Sequence, residues 1–138
     1  MLLCELKSGG TYVAVLPIQP TDALLVQWAT EQGIGLASDL HVTLLYSRQV
    51  IGVVTNQDEH FAVPVGFDVF DGKLVMKLEC QTMIDRHDKF IGMGGTHDHP
   101  EYVPHLTLCS ANGLVLDEID LPPFSLVFGR EYTEALRT

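Results

Sequence analysis

The sequence predicts a single α+β domain, spanning residues 1–138, in which helices pack against antiparallel strands. Three observations support this fold class. Short β-rich runs alternate with two segments of helical periodicity, an Asp-Gly pair separates two of the runs, and the tripeptide His-x-Thr occurs once in each half of the chain. At 138 residues the chain is long enough to bury a core without disulfides or a structural metal.

The first half predicts a strand, a helix and the strand of the first motif, with Val50–Val54 as a continuation of strand structure. The segments are Thr11–Pro17, Thr21–Gln32, Leu40–Arg48 and Val50–Val54. In the helical segment, apolar residues recur at the spacing of one helix face. We expect Thr21 or Asp22 to cap its start and Gly33 to end it, because these residue types favour the two helix termini.

The second half predicts a hairpin, a helix and two strands. The segments are Phe61–Phe70 with Lys73–Cys80, Thr82–Ile91, Pro104–Cys109 and Phe124–Phe128. Asp71-Gly72 indicates the hairpin turn, because this pair accepts positive φ at both positions. Pro64 and Gly66 predict a bulge or an edge position in the preceding strand, and Thr82 is the expected helix cap.

Charge and composition exclude several classes of protein. The chain has a net charge of −10, a pI near 4.8 and only eight basic residues. This balance argues against a protein that binds long nucleic acid through many phosphates. The chain has no long apolar segment that would span a membrane and no secretion signal after Met1, so we expect a cytosolic protein without a membrane partner. Its three scattered cysteines predict neither a disulfide framework nor a thiolate zinc site.

The two His-x-Thr motifs are the strongest candidates for a functional site. They comprise His41 with Thr43 and His105 with Thr107. On a strand, residues two apart face the same side, so each motif presents an imidazole and a hydroxyl together. One such histidine is usually a core residue, and threonine alone reflects β-propensity. Two strands side by side, however, can hold a phosphate between two proton carriers and two hydroxyl donors.

A metal site is the competing hypothesis. It depends on the segment His97-Asp98-His99, with Glu101, His87 and His105 nearby in sequence. His-x-His is a legitimate ligand spacing, but no further motif completes a set of three or four ligands. We therefore expect neither a metal nor another cofactor.

Four segments carry a resemblance to a known family. They are Tyr12-Val13-Ala14, the run from His41 to Arg48, the run from Tyr102 to Leu108, and Arg130-Glu131-Tyr132-Thr133-Glu134. Together they resemble the two-histidine phosphoesterases, and among these the phage anti-CBASS phosphodiesterases, which degrade the cyclic di- and trinucleotides that bacterial immunity uses as infection signals. The resemblance implies a two-lobed, pseudosymmetric fold with antiparallel sheets around a central cleft and helices outside.

The same resemblance implies roles for individual residues. It assigns His41 and His105 to proton transfer during attack of a ribose 2′-hydroxyl on the neighbouring phosphodiester. Which of them is the base stays open. By analogy with the family, Tyr12 and Glu134 hold the base or the ribose. The family often continues past this terminal segment with an aromatic residue that stacks on a base, whereas this chain stops at Thr138. We expect either a different nucleobase preference or that Tyr12, Trp28 or Tyr132 takes that role.

Three functions are compatible with these motifs. The first is cleavage of a cyclic oligonucleotide such as cyclic GMP–AMP in the cytosol of an infected bacterium, which blocks CBASS signalling. The second is an RNA-end enzyme that acts on 2′,3′-cyclic phosphates or 2′–5′ linkages. The third is a binding protein that sequesters the nucleotide without cutting it, which intact histidines and threonines disfavour.

Overall fold

Within residues 10–97 and 101–136, which the computed structural model describes, the chain forms six strands and two α-helices. In chain order these are β1 (Gly10–Pro17), α1 (Thr21–Gln32), β2 (Val42–Ser47), β3 (His60–Phe70), β4 (Lys73–Glu79), α2 (Gln81–Gly92), β5 (His105–Ser110) and β6 (Leu126–Leu136). A single 3-10 turn, Leu116–Glu118, precedes β6. None of the helices in these ranges is both long and apolar enough to cross a membrane.

The strands close into one sheet in the order β1-β2-β5-β4-β3-β6, and every neighbouring pair is antiparallel. The antiparallel α+β fold is thus confirmed. The motif-bearing strands β2 and β5 are neighbours, although half a chain separates them. Each follows a helix, so β1-α1-β2 and β4-α2-β5 have the same connectivity. A two-lobed division of the molecule stays a prediction.

The apolar faces of the sheet and of both helices form the core. Val42, Leu44, Leu106 and Leu108 of the motif strands are fully buried. Burying one side chain of this size contributes about 1.5–3 kcal/mol. The helices add Leu25, Trp28, Met83 and Phe90 to the same cluster. The motif strands are therefore fixed from one face, which leaves their other face for a site.

Two predictions about tight turns are confirmed. Gly33 ends α1 in the left-handed conformation, with φ of 71°. Asp71 and Gly72 both have positive φ, 53° and 74°, as the hairpin turn requires. The predicted irregularity in β3 is also present, because its register with β4 shifts between Pro64 and Gly66.

The predicted N-terminal helix caps are wrong. Pro20 and Cys80 occupy the N-cap positions, and neither helix start has a side-chain cap. The Thr21 hydroxyl instead accepts a hydrogen bond from the Val127 N–H in β6, at 2.9 Å. The Thr82 hydroxyl lies 2.8 Å from His60 Nδ1. Both hydroxyls therefore form hydrogen bonds with residues distant in sequence and do not cap the helices that local sequence rules assign to them.

Two strand boundaries also differ from prediction. Val50–Val54 is not a strand, and side chains satisfy part of its backbone: Ile51 N–H donates to Thr11 Oγ1 at 3.0 Å, and Arg86 Nη2 donates to the Val54 carbonyl at 2.8 Å. The last strand begins near the predicted position but extends to Leu136. Its register with β1 shifts at Arg130, which has φ of 55°.

A bulge in β2 changes which of its side chains share a face. Ala14 pairs with Thr43 and Val13 with Leu45, so Leu44 is the extra residue. Leu44 and Leu45 are consequently both buried in the core. Tyr46, which pairs with Tyr12, then lies on the same face of the sheet as Thr43.

A buried ion pair joins α2 to β6. The Arg86 guanidinium donates to both carboxylate oxygens of Glu131, with Nε–Oε2 of 2.9 Å and Nη2–Oε1 of 2.6 Å. The Arg86 side chain is 9% exposed and the Glu131 side chain 1%. The guanidinium also lies over the Phe90 ring, 4.4 Å from its centroid. This bidentate geometry satisfies two charges that burial alone would make costly.

Candidate active site

The β2–β5 pairing brings the two His-x-Thr motifs together. Val42 pairs with Leu106, and both side chains point into the core. Extending this antiparallel register by one residue on either side sets His41 opposite Thr107 and Thr43 opposite His105. Because alternate residues face opposite sides, all four predicted site residues lie on the face away from the core. Each motif therefore sets its threonine beside the histidine of the other motif.

The two histidines are held in the same way. His41 Nδ1 lies 2.6 Å from the carbonyl oxygen of Asp39, and His105 Nδ1 lies 3.0 Å from that of Val103. A carbonyl oxygen only accepts, so Nδ1 carries the proton in both rings. Nε2 is then the nitrogen left for chemistry, as an acceptor in the neutral ring and as a donor in the imidazolium.

Two tyrosines form hydrogen bonds with Thr43, one with its side chain and one with its backbone. The Tyr12 hydroxyl lies 3.0 Å from Thr43 Oγ1, and the Tyr102 hydroxyl donates to the Thr43 carbonyl at 2.7 Å. The Tyr12 ring also meets the His41 ring edge to face, with 6.2 Å between centroids. Tyr12, predicted from the family resemblance, thus contacts two of the four motif residues.

An aromatic and acidic group surrounds Tyr12 on the same face. Glu134 pairs directly with Tyr12 across β1 and β6, and Tyr132 lies two residues away with its ring 6.3 Å from that of Tyr12. Burial raises the pKa of Tyr12 to about 12, and the negative charge of Glu134 acts in the same direction. Burial, together with Glu134, also raises the pKa of Tyr132. Both phenols therefore stay protonated at neutral pH.

A cavity of about 400 Å³ opens beside the motif strands. Thr43 and His105 form part of its wall, and Tyr46 enters the lining because of the β2 bulge. The opposite wall comes from the β3–β4 hairpin and the segment before β5. It comprises Asp68, Phe70, Val75, Lys77, His97, Glu101, Tyr102 and Val103. A space of this size, mostly apolar with a few polar groups, fits a small organic ligand.

Two further histidines, His87 and His97, pack together beside Tyr102. His87 is buried, and its Nδ1 donates to the Leu44 carbonyl at 2.7 Å. Its ring stacks on Tyr102, with 4.1 Å between centroids, and meets His97 edge to face at 4.7 Å. Burial lowers the pKa of His87, which favours the neutral ring. The cluster holds Tyr102 where its hydroxyl reaches Thr43.

The residues of the metal hypothesis are not brought together as a ligand set in the part of the chain that is described. Asp98 and His99 lie outside the described residues. His97 Nε2 donates to the Glu101 carbonyl at 3.3 Å. Residues 10–97 and 101–136 contain no group of three or more potential metal ligands.

Trp28 is wrong as a candidate for base stacking. It is only 4% exposed, its ring stacks on Phe67, and its Nε1 donates to the Asp120 carbonyl. Tyr12 and Tyr132 do lie at the site. Sequence reasoning missed Lys77 and Tyr102 as lining residues. Only the aromatic character of Tyr102, immediately before the second motif, offered a signal for it.

Comparison with known proteins gives the family. The family model described as anti-CBASS protein Acb1 matches residues 9–138, nearly the whole chain. The chain belongs to this family. Its membership supports an anti-CBASS function and confirms the anti-CBASS part of the resemblance drawn from the motifs. The wider assignment to the two-histidine phosphoesterases stays a prediction.

Several relatives carry the same family name. An Acb1 protein of Vibrio phage KVP40 is 36% identical over 113 residues, which cover 75% of this chain and 74% of the relative. The Acb1 protein of Enterobacteria phage T4 is 30% identical over 105 residues, covering 71% of this chain and 67% of the relative. An Acb1 protein of a Caulobacter strain is 32% identical over 127 residues, but the match spans only 20% of that protein.

Proposed function

We propose that this protein is a metal-independent phosphodiesterase that opens cyclic di- and trinucleotide second messengers at a 3′–5′ bond and so blocks CBASS signalling in the bacterial cytosol. The observation that carries the proposal is the paired arrangement of His41 and His105. Both rings donate Nδ1–H to the carbonyl two residues earlier and keep Nε2 for the substrate. The anti-CBASS family supports the choice of a cyclic nucleotide.

The reaction needs one histidine in each protonation state. The neutral Nε2 of one ring takes the proton of the ribose 2′-hydroxyl while the 2′-oxygen attacks phosphorus. The bond from phosphorus to the 5′-oxygen breaks, and Nε2–H of the other ring protonates the leaving oxygen. The product is one linear nucleotide with a 2′,3′-cyclic phosphate at one end. Water then opens that ring with the two roles reversed.

The threonines stabilise the charge that develops on the phosphate. Because Tyr12 stays protonated, its hydroxyl can donate to Thr43 Oγ1, which leaves the threonine proton free for a non-bridging oxygen. Thr107, opposite His41, has the equivalent role on the other motif strand. Donors fixed in this way before the reaction are the most effective form of transition-state stabilisation.

Tyr12 and Glu134 form the proposed recognition group for the base or ribose. They pair across β1 and β6, beside His41. An aromatic ring can stack on a nucleobase, which contributes about 1–3 kcal/mol per base. The Glu134 side chain is exposed, so its carboxylate is free to accept hydrogen bonds from a base edge.

The test is cleavage of 3′,3′-cyclic GMP–AMP by the purified protein in EDTA, with products separated by chromatography. We expect the intact protein to linearise the ring. His41→Asn and His105→Asn keep a side-chain N–H for the carbonyl but lack Nε2, so each is expected to lose activity by at least about 10²-fold. Thermal unfolding of each variant checks that the fold is kept.

Other outcomes identify the competing functions. Tight binding with unchanged ligand contradicts the proposal and indicates a sequestering protein. Cleavage restricted to linear substrates with 2′,3′-cyclic ends indicates an RNA-end enzyme. Activity that disappears in EDTA and returns with a divalent cation contradicts metal-independent chemistry.

A further inference from the structure

Lys77 lies on the same face of the sheet as the two motifs. It pairs directly with His105 across β4 and β5, and directly paired residues project to the same side. Lys77 is half-buried and lines the cavity that Thr43 and His105 also line. The strand pairing therefore sets a lysine beside the predicted reaction centre.

The Lys77 side chain leans away from His105. Its Cε is 3.6 Å from the position that a Cβ on Gly66 would occupy, so the stem crosses onto β3. His105 is on β5, two strands from β3, and strands are about 4.8 Å apart. The ammonium group therefore lies about 10 Å from the backbone of His105, farther than a contact with the phosphate at the two histidines would require.

Lys77 lacks a counterion within the described residues. The carboxylates of Asp68 and Glu101 line the same cavity, but neither lies within 4.0 Å of the Lys77 ammonium, and apart from histidine Lys77 is the single basic residue among the described residues of the cavity wall. This arrangement is unexpected in a protein with 18 acidic and only eight basic side chains. A half-buried ammonium is stabilised by an anionic partner, and a lysine is a common point-charge ligand for phosphate.

We propose that Lys77 binds a second phosphate of the substrate, one that is not cleaved while the scissile phosphate lies between His41 and His105. The inference rests on the proposed function. A cyclic dinucleotide carries two phosphodiesters in one ring, so its second phosphate is held at a fixed distance from the first. Lys77 would then favour cyclic dinucleotides over linear substrates that have only one phosphate.

The test compares two substrates with the variant Lys77→Met, which keeps the stem and removes the charge. For 3′,3′-cyclic GMP–AMP we expect KM to rise about tenfold with kcat within about twofold of the wild type. For the linear dinucleoside monophosphate GpA, which has one phosphate, we expect both constants to stay unchanged. Lys77→Arg should restore most of the affinity for the cyclic substrate.

Lys73→Met is the matched control. Lys73 is an exposed residue on the same strand, outside the cavity lining, so its loss changes net charge equally. Equal effects of Lys77→Met and Lys73→Met would overturn the proposal, because they would reflect only general electrostatics. Equal losses on both substrates would also overturn it, since Lys77 would then act on the reacting phosphate.

Failure of the proposed function gives a different pattern. In that case the wild type cleaves neither substrate. Calorimetric titration of 3′,3′-cyclic GMP–AMP into the His41→Asn protein, with and without Lys77→Met, still tests Lys77. A tenfold weaker Kd with Lys77→Met supports the second-phosphate site, and an unchanged Kd contradicts it.

Discussion

The Tyr12 hydroxyl is the group that orients a motif threonine most directly. It lies 3.0 Å from Thr43 Oγ1, and because its pKa is raised to about 12 it stays a donor at every pH at which a histidine pair operates. We predict that Tyr12→Phe lowers kcat for the cyclic substrate about three- to tenfold, the value of one neutral hydrogen bond. Steady-state cleavage assays measure the effect.

Tyr46→Phe is the control for Tyr12→Phe. The Tyr46 ring contacts Tyr12 at 6.2 Å, but its hydroxyl has no hydrogen-bond partner within the described ranges. Tyr46 also lines the cavity, so its variant is compared on kcat alone and not on KM, and kcat should stay at the wild-type value. If both variants lose the same activity, the loss results from the changed environment of the aromatic rings and not from the missing Tyr12–Thr43 hydrogen bond.

The sequence was sufficient to predict that each histidine shares a face with its threonine, because that follows from strand periodicity alone. It was not sufficient to predict that Thr107 lies opposite His41, since the β2–β5 register joins segments half a chain apart. Lys77 was missed for the same reason. Its significance depends on its pairing with His105 and on the passage of its stem over Gly66, neither of which is local in sequence.

Among the elements, α2 is joined to β6 by the buried Arg86–Glu131 pair. Removal of one partner leaves an uncompensated buried charge, so we predict that Arg86→Met lowers the free energy of unfolding by about 3–5 kcal/mol. The double variant Arg86→Met with Glu131→Leu leaves no charge behind and should lose clearly less. Urea unfolding of wild type, single and double variants measures these differences.

Lys89→Met serves as the control on the same helix. Lys89 is exposed in the last turn of α2, so its loss should change stability by less than about 0.5 kcal/mol. If the double variant is as unstable as Arg86→Met alone, packing rather than charge compensation determines the contribution of this pair.

Most elements and the irregularity in β3 were predictable, whereas the bulge in β2 was not. Both helices and the β3–β4 hairpin follow from periodicity and turn residues within a few positions of the observed bounds. Strict alternation along β2 would have turned Tyr46 away from Thr43. The bulge at Leu44 instead puts Tyr46 and Thr43 on the same face. Leu44 and Leu45 are both buried in the core, opposite Val13 and Ala14 of β1. Such a fit between strands is a tertiary property.

For the whole molecule, two buried histidines predict acid sensitivity. Burial lowers the pKa of His60 and of His87 below the value of about 6.5 in the unfolded chain. Below that pH the unfolded state binds more protons than the native state, so stability is fully present above pH 6.5 and decreases as the pH falls. We predict a Tm that decreases steadily between pH 7 and 5.5.

His60→Gln tests the origin of this slope. His60 Nδ1 lies near the Thr82 hydroxyl, while its Nε2 is buried with no hydrogen-bond partner within the described residues. Glutamine can keep a bond to Thr82 but does not titrate, so the variant should show a shallower dependence of Tm on pH in the same window. A slope identical to that of the wild type would assign the acid sensitivity to groups other than His60.

Each motif histidine lies opposite the threonine of the other motif, and this pairing has a consequence for genetics. Because the two proposed proton carriers come from different halves of one chain and lie on paired strands, a molecule that lacks either histidine has no intact site. Mixing His41→Asn protein with His105→Asn protein, or expressing both in one cell, should restore no cleavage.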